Sequence, residues 1–224
     1  MVNILKGPSI TKHKNPNKLM IMLHGYGDNA TNFIQIAELI DQNDWGMKYI
    51  ALNAPDIIQN YPMGYQWFQL YINGTSISNA SEKEYEVVKK KISENIEKIH
   101  NSITFLLQSL NLNMSDCFVM GFSQGGMMAF ELGQILQNKL AGLAIISSRI
   151  ISKEHKPNNA FLKTPIFISH GAQDAVLPIS NYNESLEVLK KYNYNYENYL
   201  IKSDEHTMSQ ETITLFQNFI KKNI

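Results

Sequence analysis

The stretch VMGFSQGG runs from Val119 to Gly126 and lies between an apolar β-rich run and a helix-compatible run. It contains Gly-x-Ser-x-Gly centred on Ser123. This context predicts a sharp strand-to-helix turn that exposes the serine hydroxyl and requires glycines, because side chains would clash there. Free N–H groups and the helix dipole favour negative charge at such a helix start. The pattern alone is weak, and the alternative is a glycine-rich turn whose serine only caps a helix.

A serine alcohol is a poor nucleophile near neutral pH, so it needs a base and usually a third group that orients the base. In a strand-turn-helix site the chain order is serine, acid, histidine. His155, His170 and His206 follow Ser123, and of these only His206 also follows the best acid candidate, Asp174. His170 stands at a predicted strand end, where we expect a structural role.

Asp174 belongs to HGAQDAVLP, a few residues past a predicted strand. A carboxylate placed there can reach a histidine displayed by the next loop, whereas the nearby glutamates fall on predicted helices. Asp204 and Glu205 remain rival acids because they adjoin His206. Their closeness in sequence makes it difficult for either to orient the imidazole ring. We therefore predict that Ser123, Asp174 and His206 form a catalytic triad.

A second glycine-rich turn, HGYGD, follows the apolar run that begins at Leu19. An acyl-transfer site needs preformed N–H donors for the developing oxyanion, one from the residue after the serine and one from a turn after a neighbouring strand. The residue after the serine is Gln124, and the second turn supplies Tyr26. The sequence predicts that the backbone N–H groups of these two residues form the oxyanion hole.

The same turn has a rival interpretation as a dinucleotide site. Gly25, Gly27 and Ala30 stand at the G-x-G-x-x-A spacing that lets a backbone approach a pyrophosphate. That site also expects an acidic residue at the end of the second strand, but the predicted strand ends at Leu52 and Asn53 follows. The missing acid argues against nucleotide binding.

Short apolar runs alternate with longer amphipathic runs, which predicts a mostly parallel sheet with helical crossovers. The predicted strands are Leu19 to Leu23, Tyr49 to Leu52, Cys117 to Met120, Ala141 to Ile146, Ile166 to Ser169 and Tyr196 to Ile201. The predicted helices are Thr31 to Asp41, Glu82 to Leu110, Gln124 to Gln137, Asn181 to Tyr192 and Ser209 to Lys222. Ser81 and Glu84 form a capping-box pattern at the start of the longest helix.

The bulk composition narrows the class of protein. A chain of 224 residues with 44% hydrophobic residues fits a single domain over residues 1–224. A formal net charge of +0 and a single arginine, Arg149, argue against nucleic-acid binding.

The chain has one cysteine, Cys117, which fits a reducing compartment. No signal peptide or membrane-length apolar run is present, so we expect a cytoplasmic protein without integral membrane association. No clustered ligand spacing suggests a metal, and no metal or organic cofactor is expected.

With HGYGD, GFSQGG, HGAQD and His206 in this order, the chain resembles the acyl-protein thioesterase, carboxylesterase and lysophospholipase family of the α/β-hydrolases over about Leu19 to Ile220. The resemblance implies an α/β-hydrolase fold, with a mostly parallel sheet, helices on both faces and no separate cap domain. It maps Ser123, Asp174 and His206 onto the triad, and the N–H groups of Tyr26 and Gln124 onto the oxyanion pair.

The resemblance also suggests residues of the substrate pocket. Trp67 and Phe68 match the family's Trp-Phe pair in the loop beside the acyl pocket, and a core anchor for that loop is the alternative. Relatives carry a leucine-sized residue where Tyr26 stands and a small residue where Met127 follows the double glycine. These two differences leave the catalytic groups intact and bear on the acyl preference, so Met127 joins Trp67 and Phe68 as a predicted substrate-binding residue.

The function implied by these residues is the hydrolysis of carboxylic esters or thioesters with apolar acyl groups, through an acyl-enzyme on Ser123. The expected partner is a small-molecule or lipid ester, or an acylated protein, and neither the substrate among these nor the oligomeric state follows from the sequence. Two alternatives remain. An acyltransferase would use the same triad and differ in what resolves the acyl-enzyme. A non-catalytic protein of this fold would present the Trp67 loop to a lipid or partner.

Overall fold

The computed structural model describes residues 3–41, 45–72, 75–77 and 81–224 of the chain. Its centre is a seven-stranded sheet in the order β1-β3-β2-β8-β9-β10-β11. The edge strand β1 is antiparallel to β3, and every other pair is parallel. The seven strands are β1 Ser9–Thr11, β2 Lys18–Leu23, β3 Met47–Leu52, β8 Cys117–Phe122, β9 Gly142–Ile146, β10 Ile166–Gly171 and β11 Tyr196–Ile201.

Helices cover both faces of this sheet. They are α1 Ala30–Phe33, α2 Ile36–Ile40, α3 Glu82–Leu110, α4 Gln124–Ile135, α5 Asn159–Leu162, α6 Ile179–Lys191 and α7 Gln210–Asn223. Side chains alternate along the strands, so Leu19 and Ile21 of β2 join the core cluster under α3, α4 and α6, while Met20 joins the cluster under α1, α2 and α7. The central strands are apolar on both sides, as expected of a parallel sheet buried between two helical layers.

The strand and helix predictions agree with the structure in most places. The predicted ends of α3 and β11 match, and the Ser81–Glu84 capping box is present. The helix predicted over Thr31 to Asp41 is wrong in one respect, because the structure has two short helices, α1 and α2, in its place. The short edge strand β1 was not predicted, because three residues carry too little periodic signal.

The long connection after β3 carries two small antiparallel hairpins. They consist of β4 Asp56–Ile58 with β5 Tyr61–Gln66, and of β6 Tyr71–Ile72 with β7 Thr75–Ser76. Residues 73–74 and 78–80 of this connection lie outside the described residues. The β4–β5 hairpin lies against the glycine-rich turn after β2, since the N–H of Gly27 donates to the carbonyl of Tyr65 at 3.0 Å.

The carboxyl ends of the parallel strands meet at one edge of the sheet. The turn after β2 begins at His24, β8 leads into Ser123, and the loops after β10 and β11 carry Asp174 and His206. Ligands of open α/β sheets bind at this edge. Among the described residues, no helix is both long enough and apolar enough to cross a membrane.

Candidate active site

Ser123 lies at a sharp turn between β8 and α4. Its backbone has φ 52° and ψ −119°, a left-handed conformation that is strained for a residue with a side chain. Its N–H donates to the carbonyl of Ile146 at 2.9 Å, and its carbonyl accepts a hydrogen bond from Ser148 Oγ at 2.5 Å. The Ser123 side chain does not cap α4. The helix-capping alternative for this serine is therefore wrong, and the strained turn holds the hydroxyl for another purpose.

Two glycines of the motif are required by close backbone contacts. A Cβ at Gly121 would lie 2.1 Å from the carbonyl oxygen of Gly125, and a Cβ at Gly125 would lie 2.0 Å from the carbonyl oxygen of Leu23. Both obstacles are main-chain atoms, so no side-chain rotation relieves them. The glycines therefore let α4 start directly against β2 and β8, which sets the position of the Ser123 turn.

Asp174 and His206 are joined across two loops. Asp174 Oδ2 lies 2.7 Å from His206 Nδ1, and the carboxyl side chain is fully buried while the imidazole is 18% exposed. Asp174 Oδ1 accepts the N–H groups of Val176 and Leu177 at 2.9 and 2.8 Å. These two bonds fix the carboxyl group, so the hydrogen bond that Oδ2 accepts from the Nδ1–H orients the ring and leaves Nε2 turned away from the carboxylate.

The rival acids contact other groups. Asp204 is buried, and its Oδ2 accepts the hydroxyl of Thr212 at the start of α7 at 3.0 Å. Glu205 is exposed. His170 takes the structural role expected of it, because its Nε2 is 2.8 Å from the carbonyl oxygen of Leu177 and its ring stacks on Tyr182. Asp174 is thus the acid that contacts His206.

The His206 ring lies beside the Ser123 turn. Phe122, the residue before the serine, packs on the imidazole with ring centroids 4.9 Å apart. Ser147 Oγ, at the end of β9, donates to the carbonyl of Thr207 at 3.3 Å and ties the histidine loop to the sheet edge. No hydrogen bond joins the Ser123 hydroxyl to His206 within the described residues. Such contacts in enzymes without substrate are often loose and tighten in the complex.

His24 holds the turn that carries Tyr26, a role that sequence reasoning missed. Its Nδ1 is 2.8 Å from the carbonyl oxygen of Gly25, and its Nε2 is 3.1 Å from the N–H of Ala54. The ring is buried, and burial lowers the pKa of His24, which favours the neutral form that donates from Nδ1 and accepts at Nε2. Since a trans peptide is planar, fixing the Gly25 carbonyl also fixes the Tyr26 N–H that points the opposite way.

The N–H groups predicted for the oxyanion hole are available. Within the part of the chain that the structure describes, the backbone N–H groups of Tyr26 and Gln124 have no hydrogen-bond acceptor. Gln124 stands at the first position of α4, where a free N–H is inherent to the helix, and Tyr26 stands in the His24 turn. Both groups could therefore donate to a charge that develops beside Ser123.

The Gln124 side chain ties the site together. Its Oε1 accepts the N–H of Trp67 at 2.9 Å, and its Nε2 donates to the carbonyl of Phe68 at 2.8 Å. Trp67 Nε1 in turn donates to the carbonyl of His24 at 2.9 Å. Asn95 of α3 donates to the carbonyl of Trp67. This network links the two turns that carry the predicted oxyanion donors.

The three predicted pocket residues differ in accessibility. Trp67 is 0% exposed and Met127 is 3% exposed, and both belong to the core cluster under α3 and α4. Trp67 therefore fits the core-anchor alternative, and the burial of Trp67 and Met127 gives no support to a contact with substrate. Phe68 is also buried but lines a cavity of about 420 Å³.

Comparison with known proteins decides the family of the chain. The profile of the family described as phospholipase/carboxylesterase matches residues 7–224. The chain belongs to the phospholipase/carboxylesterase family. As a member of this family it is a carboxylic ester hydrolase of the serine type, and the resemblance inferred from its motifs is confirmed.

Curated relatives of this phospholipase/carboxylesterase family member span nearly the same length. Acyl-protein thioesterase 1 of Saccharomyces cerevisiae is 26% identical, and the match covers 92% of this chain and 92% of the relative. Acyl-protein thioesterase 1 of Gibberella zeae is 25% identical over 97% of this chain and 94% of the relative.

Solved structures share the fold. The crystal structure of esterase PE8 has a TM-score of 0.84 at 22% identity and covers 99% of this chain and 100% of that chain. The Bacillus cereus carboxylesterase has a TM-score of 0.77 at 14% identity, with 98% of this chain and 95% of that chain covered. The predicted α/β-hydrolase fold is confirmed, and no separate cap is evident in the described residues.

The structure joins Asp174 to His206 and packs the His206 ring against Phe122, the residue before Ser123. Sequence reasoning missed His24 and the side chain of Gln124, because each acts through bonds to backbone atoms far along the chain. The only available signal for His24 was its place at the start of HGYGD. A histidine at the end of a buried strand needs polar partners, and its own turn is the nearest source of them.

Proposed function

We propose that this family member hydrolyses carboxylic esters and thioesters of apolar acyl groups through a Ser123–His206–Asp174 triad and an acyl-enzyme. The observation that carries the proposal is the 2.7 Å contact between Asp174 Oδ2 and His206 Nδ1, beside a serine held at φ 52°. The Saccharomyces cerevisiae and Gibberella zeae relatives are acyl-protein thioesterases, which supports thioesters as substrates. Thioesters are included because a thiolate leaves an acyl group at least as readily as an alkoxide.

The reaction has two halves. His206 Nε2 takes the proton of Ser123 Oγ as the oxygen attacks the carbonyl carbon, and the tetrahedral oxyanion accepts the N–H groups of Tyr26 and Gln124. His206 then gives the proton to the leaving alcohol or thiol, and the acyl group stays on Ser123. Water, deprotonated by the same imidazole, attacks the carbonyl carbon of this ester, and His206 returns the proton to Ser123 Oγ as the acid leaves. Asp174 holds the ring and stabilises the imidazolium of both halves.

Each oxyanion donor is expected to contribute a rate factor on the order of 10²–10³. The contribution depends on donors that need no reorganisation during the reaction. The contact of His24 with the Gly25 carbonyl and the double contact of Gln124 with the Trp67–Phe68 segment provide this rigidity.

A fluorophosphonate probe tests the proposal directly. Folded wild-type protein should be labelled at Ser123, and Ser123→Ala should remove the label while the circular dichroism spectrum is retained. In separate assays, unlabelled wild-type protein should hydrolyse p-nitrophenyl octanoate and should release free thiol from an octanoyl thioester. Folded protein that takes no label and releases no acid would instead favour the non-catalytic alternative.

A further inference from the structure

Arg149 is the only arginine of the chain and stands in a segment fixed to the active site. Ser148 Oγ donates to the carbonyl of Ser123, and Ser147 Oγ donates to the carbonyl of Thr207 in the histidine loop. The two residues before the arginine are therefore bonded to the nucleophile turn and to the loop of the base. The backbone of Arg149 is thus adjacent to a residue bonded to the Ser123 turn.

The Arg149 side chain lines the cavity of about 420 Å³ that Phe68 also lines. The carbonyl of Phe68 accepts a hydrogen bond from the side chain of Gln124, so this wall residue of the cavity is bonded to the residue that follows Ser123. Its volume falls within the usual range for small-molecule sites. The cavity wall also contains the apolar side chains of Ile77, Ile92, Ile150 and Ile151.

The hydrogen-bonding capacity of Arg149 is mostly unused. Nη1 lies 3.4 Å from Asn181 Oδ1, a long contact to a neutral acceptor, and Nε is buried without a partner among the described residues. A guanidinium has five N–H donors in a planar fork that matches carboxylate and phosphate oxygens. Most buried donors in native proteins are paired, so the unpaired Nε is one donor of this guanidinium fork without an acceptor in the described part of the protein.

Of the two cationic residues at the cavity, Arg149 is the one that does not form a salt bridge within the ranges that the structure describes. Lys153 also lines the cavity, but its Nζ lies 2.5 Å from Glu184 Oε2. The hydrogen bond from Lys153 lowers the pKa of Glu184, and Arg149 contributes a smaller effect in the same direction. Glu82 contributes a carboxyl group to the wall from the first turn of α3, where the helix dipole offsets its negative charge.

We propose that this cavity binds an anionic group of the substrate, a carboxylate or a phosphate, with Arg149 as its ligand. The apolar wall contacts the hydrocarbon part of the same substrate, so the preferred esters combine an apolar chain with one oxyanion. The inference rests on the proposed function, because it concerns substrates of the Ser123 site. It adds no covalent step, and Arg149 acts as a specificity-determining residue that binds and positions the ester.

Two matched pairs of substrates test the subsite. Mono-p-nitrophenyl octanedioate is compared with p-nitrophenyl octanoate, which places the charge on the acyl side. 1-Octanoylglycerol 3-phosphate is compared with 1-octanoylglycerol, which places the charge on the alcohol side. Wild-type protein should favour the anionic member of at least one pair in kcat/KM. Arg149→Gln should reduce that preference on the order of 10- to 100-fold, the range expected from charge-assisted hydrogen bonds.

Two further variants separate charge from geometry. Arg149→Lys should give an intermediate preference, because an ammonium keeps the charge but lacks the planar fork. Lys221→Gln, an exposed site on α7, makes the same change in net charge and should leave the preference unchanged. Each kcat/KM for an anionic ester is divided by that for its neutral partner in the same variant, so a general loss of activity in Arg149→Gln cancels in the ratio.

The outcomes separate this proposal from the proposed function. If Arg149→Gln loses the preference for the anionic ester in one pair, the result supports the subsite. The pair that responds then shows whether the subsite binds the acyl side or the alcohol side of the ester. Equal preference in wild type and Arg149→Gln for both pairs overturns the subsite while neutral-ester turnover continues. Calorimetric titration with octanedioate needs no turnover, so it can be done on Ser123→Ala with and without the added Arg149→Gln change. Equal affinity of the two proteins for octanedioate would overturn the role of Arg149 even if the chain proves inactive.

Discussion

Asp174 and His206 are separated by 32 residues in the chain, yet Oδ2 of the first lies 2.7 Å from Nδ1 of the second. The contact is made possible by β10 and β11, which are parallel neighbours and bring their following loops to the same sheet edge. The fold therefore places Asp174 and His206, which lie far apart in the sequence, next to the turn that carries Ser123.

Replacing Asp174 should impair catalysis far more than replacing its buried neighbour Asp204. In Asp174→Asn the amide no longer stabilises the correct tautomer and charge of His206, and kcat should fall on the order of 10⁴-fold. Asp204→Asn is a matched control, since it changes an equally buried carboxyl that bonds Thr212 instead. Stopped-flow or steady-state esterase assays at pH 8 would measure both. Comparable losses of kcat in the two folded variants would contradict the assignment of Asp174.

His24 should influence the rate through the Tyr26 N–H. His24→Phe removes the bond that fixes the Gly25 carbonyl, so kcat should fall by about 10- to 10³-fold with little change in KM. His24→Asn should recover much of the rate, because an amide nitrogen can take the place of Nδ1. Inhibition by a trifluoromethyl ketone, which forms an oxyanion on the serine, should weaken in parallel with kcat. A rise in KM alone would show that His24 acts on binding rather than on the oxyanion.

Gly125→Ala should destabilise the protein strongly. The new Cβ would lie 2.0 Å from the Leu23 carbonyl oxygen, so α4 would have to move away from β2. Overpacking of this kind costs about 1–3 kcal/mol or more, which urea denaturation measures as a lowered midpoint. Gly27→Ala is the control, because its Cβ would meet nothing within 4 Å and it tests only the cost of φ +84°. A smaller loss for Gly125→Ala than for Gly27→Ala would contradict the close packing.

The single cysteine should be inert in the folded protein. Cys117 is 0% exposed at the start of β8, and burial raises the pKa of its thiol well above the ordinary range. Since the thiolate is the reactive form, folded protein should not react with Ellman's reagent at pH 8, and unfolding in guanidinium should release one thiol per chain. Rapid labelling of the native protein would show that β8 opens locally.

The free energy of unfolding should fall as pH rises, because the Glu131 carboxyl group is buried. Burial raises the pKa of its carboxyl group, and the two hydrogen bonds from Ser152 oppose that effect only in part. The folded state therefore keeps the proton to higher pH than the unfolded state. Its favourable contribution is fully present below the unfolded pKa of about 4.3 and is lost as pH rises through the folded pKa.

Glu131→Gln removes this titration. Urea midpoints measured between pH 4 and pH 7 should decline with pH in wild type relative to Glu131→Gln. Glu154→Gln is the control, because that carboxyl group is largely exposed and pairs with Lys191 at the surface. Parallel curves for wild type and Glu131→Gln would count against a raised carboxyl pKa at this site.

The main strands and helices and the catalytic candidates could all be predicted from the amino-acid sequence. Apolar periodicity is a local property, so it predicted α3 from Glu82 to Leu110 and β11 from Tyr196 to Ile201 as the structure has them. The order of serine, acid and histidine selected His206, because the topology of such a sheet allows few other choices.

The contacts and the burial of these site residues became known from the tertiary structure alone. The structure distinguished Asp174 from Asp204, buried Trp67 as an anchor, and placed Arg149 in a cavity wall. It also gave His24 and the Gln124 side chain their roles. Hydrogen bonds between side chains and distant backbone atoms leave no period in the sequence, because they depend on which loops the parallel strands bring to one edge.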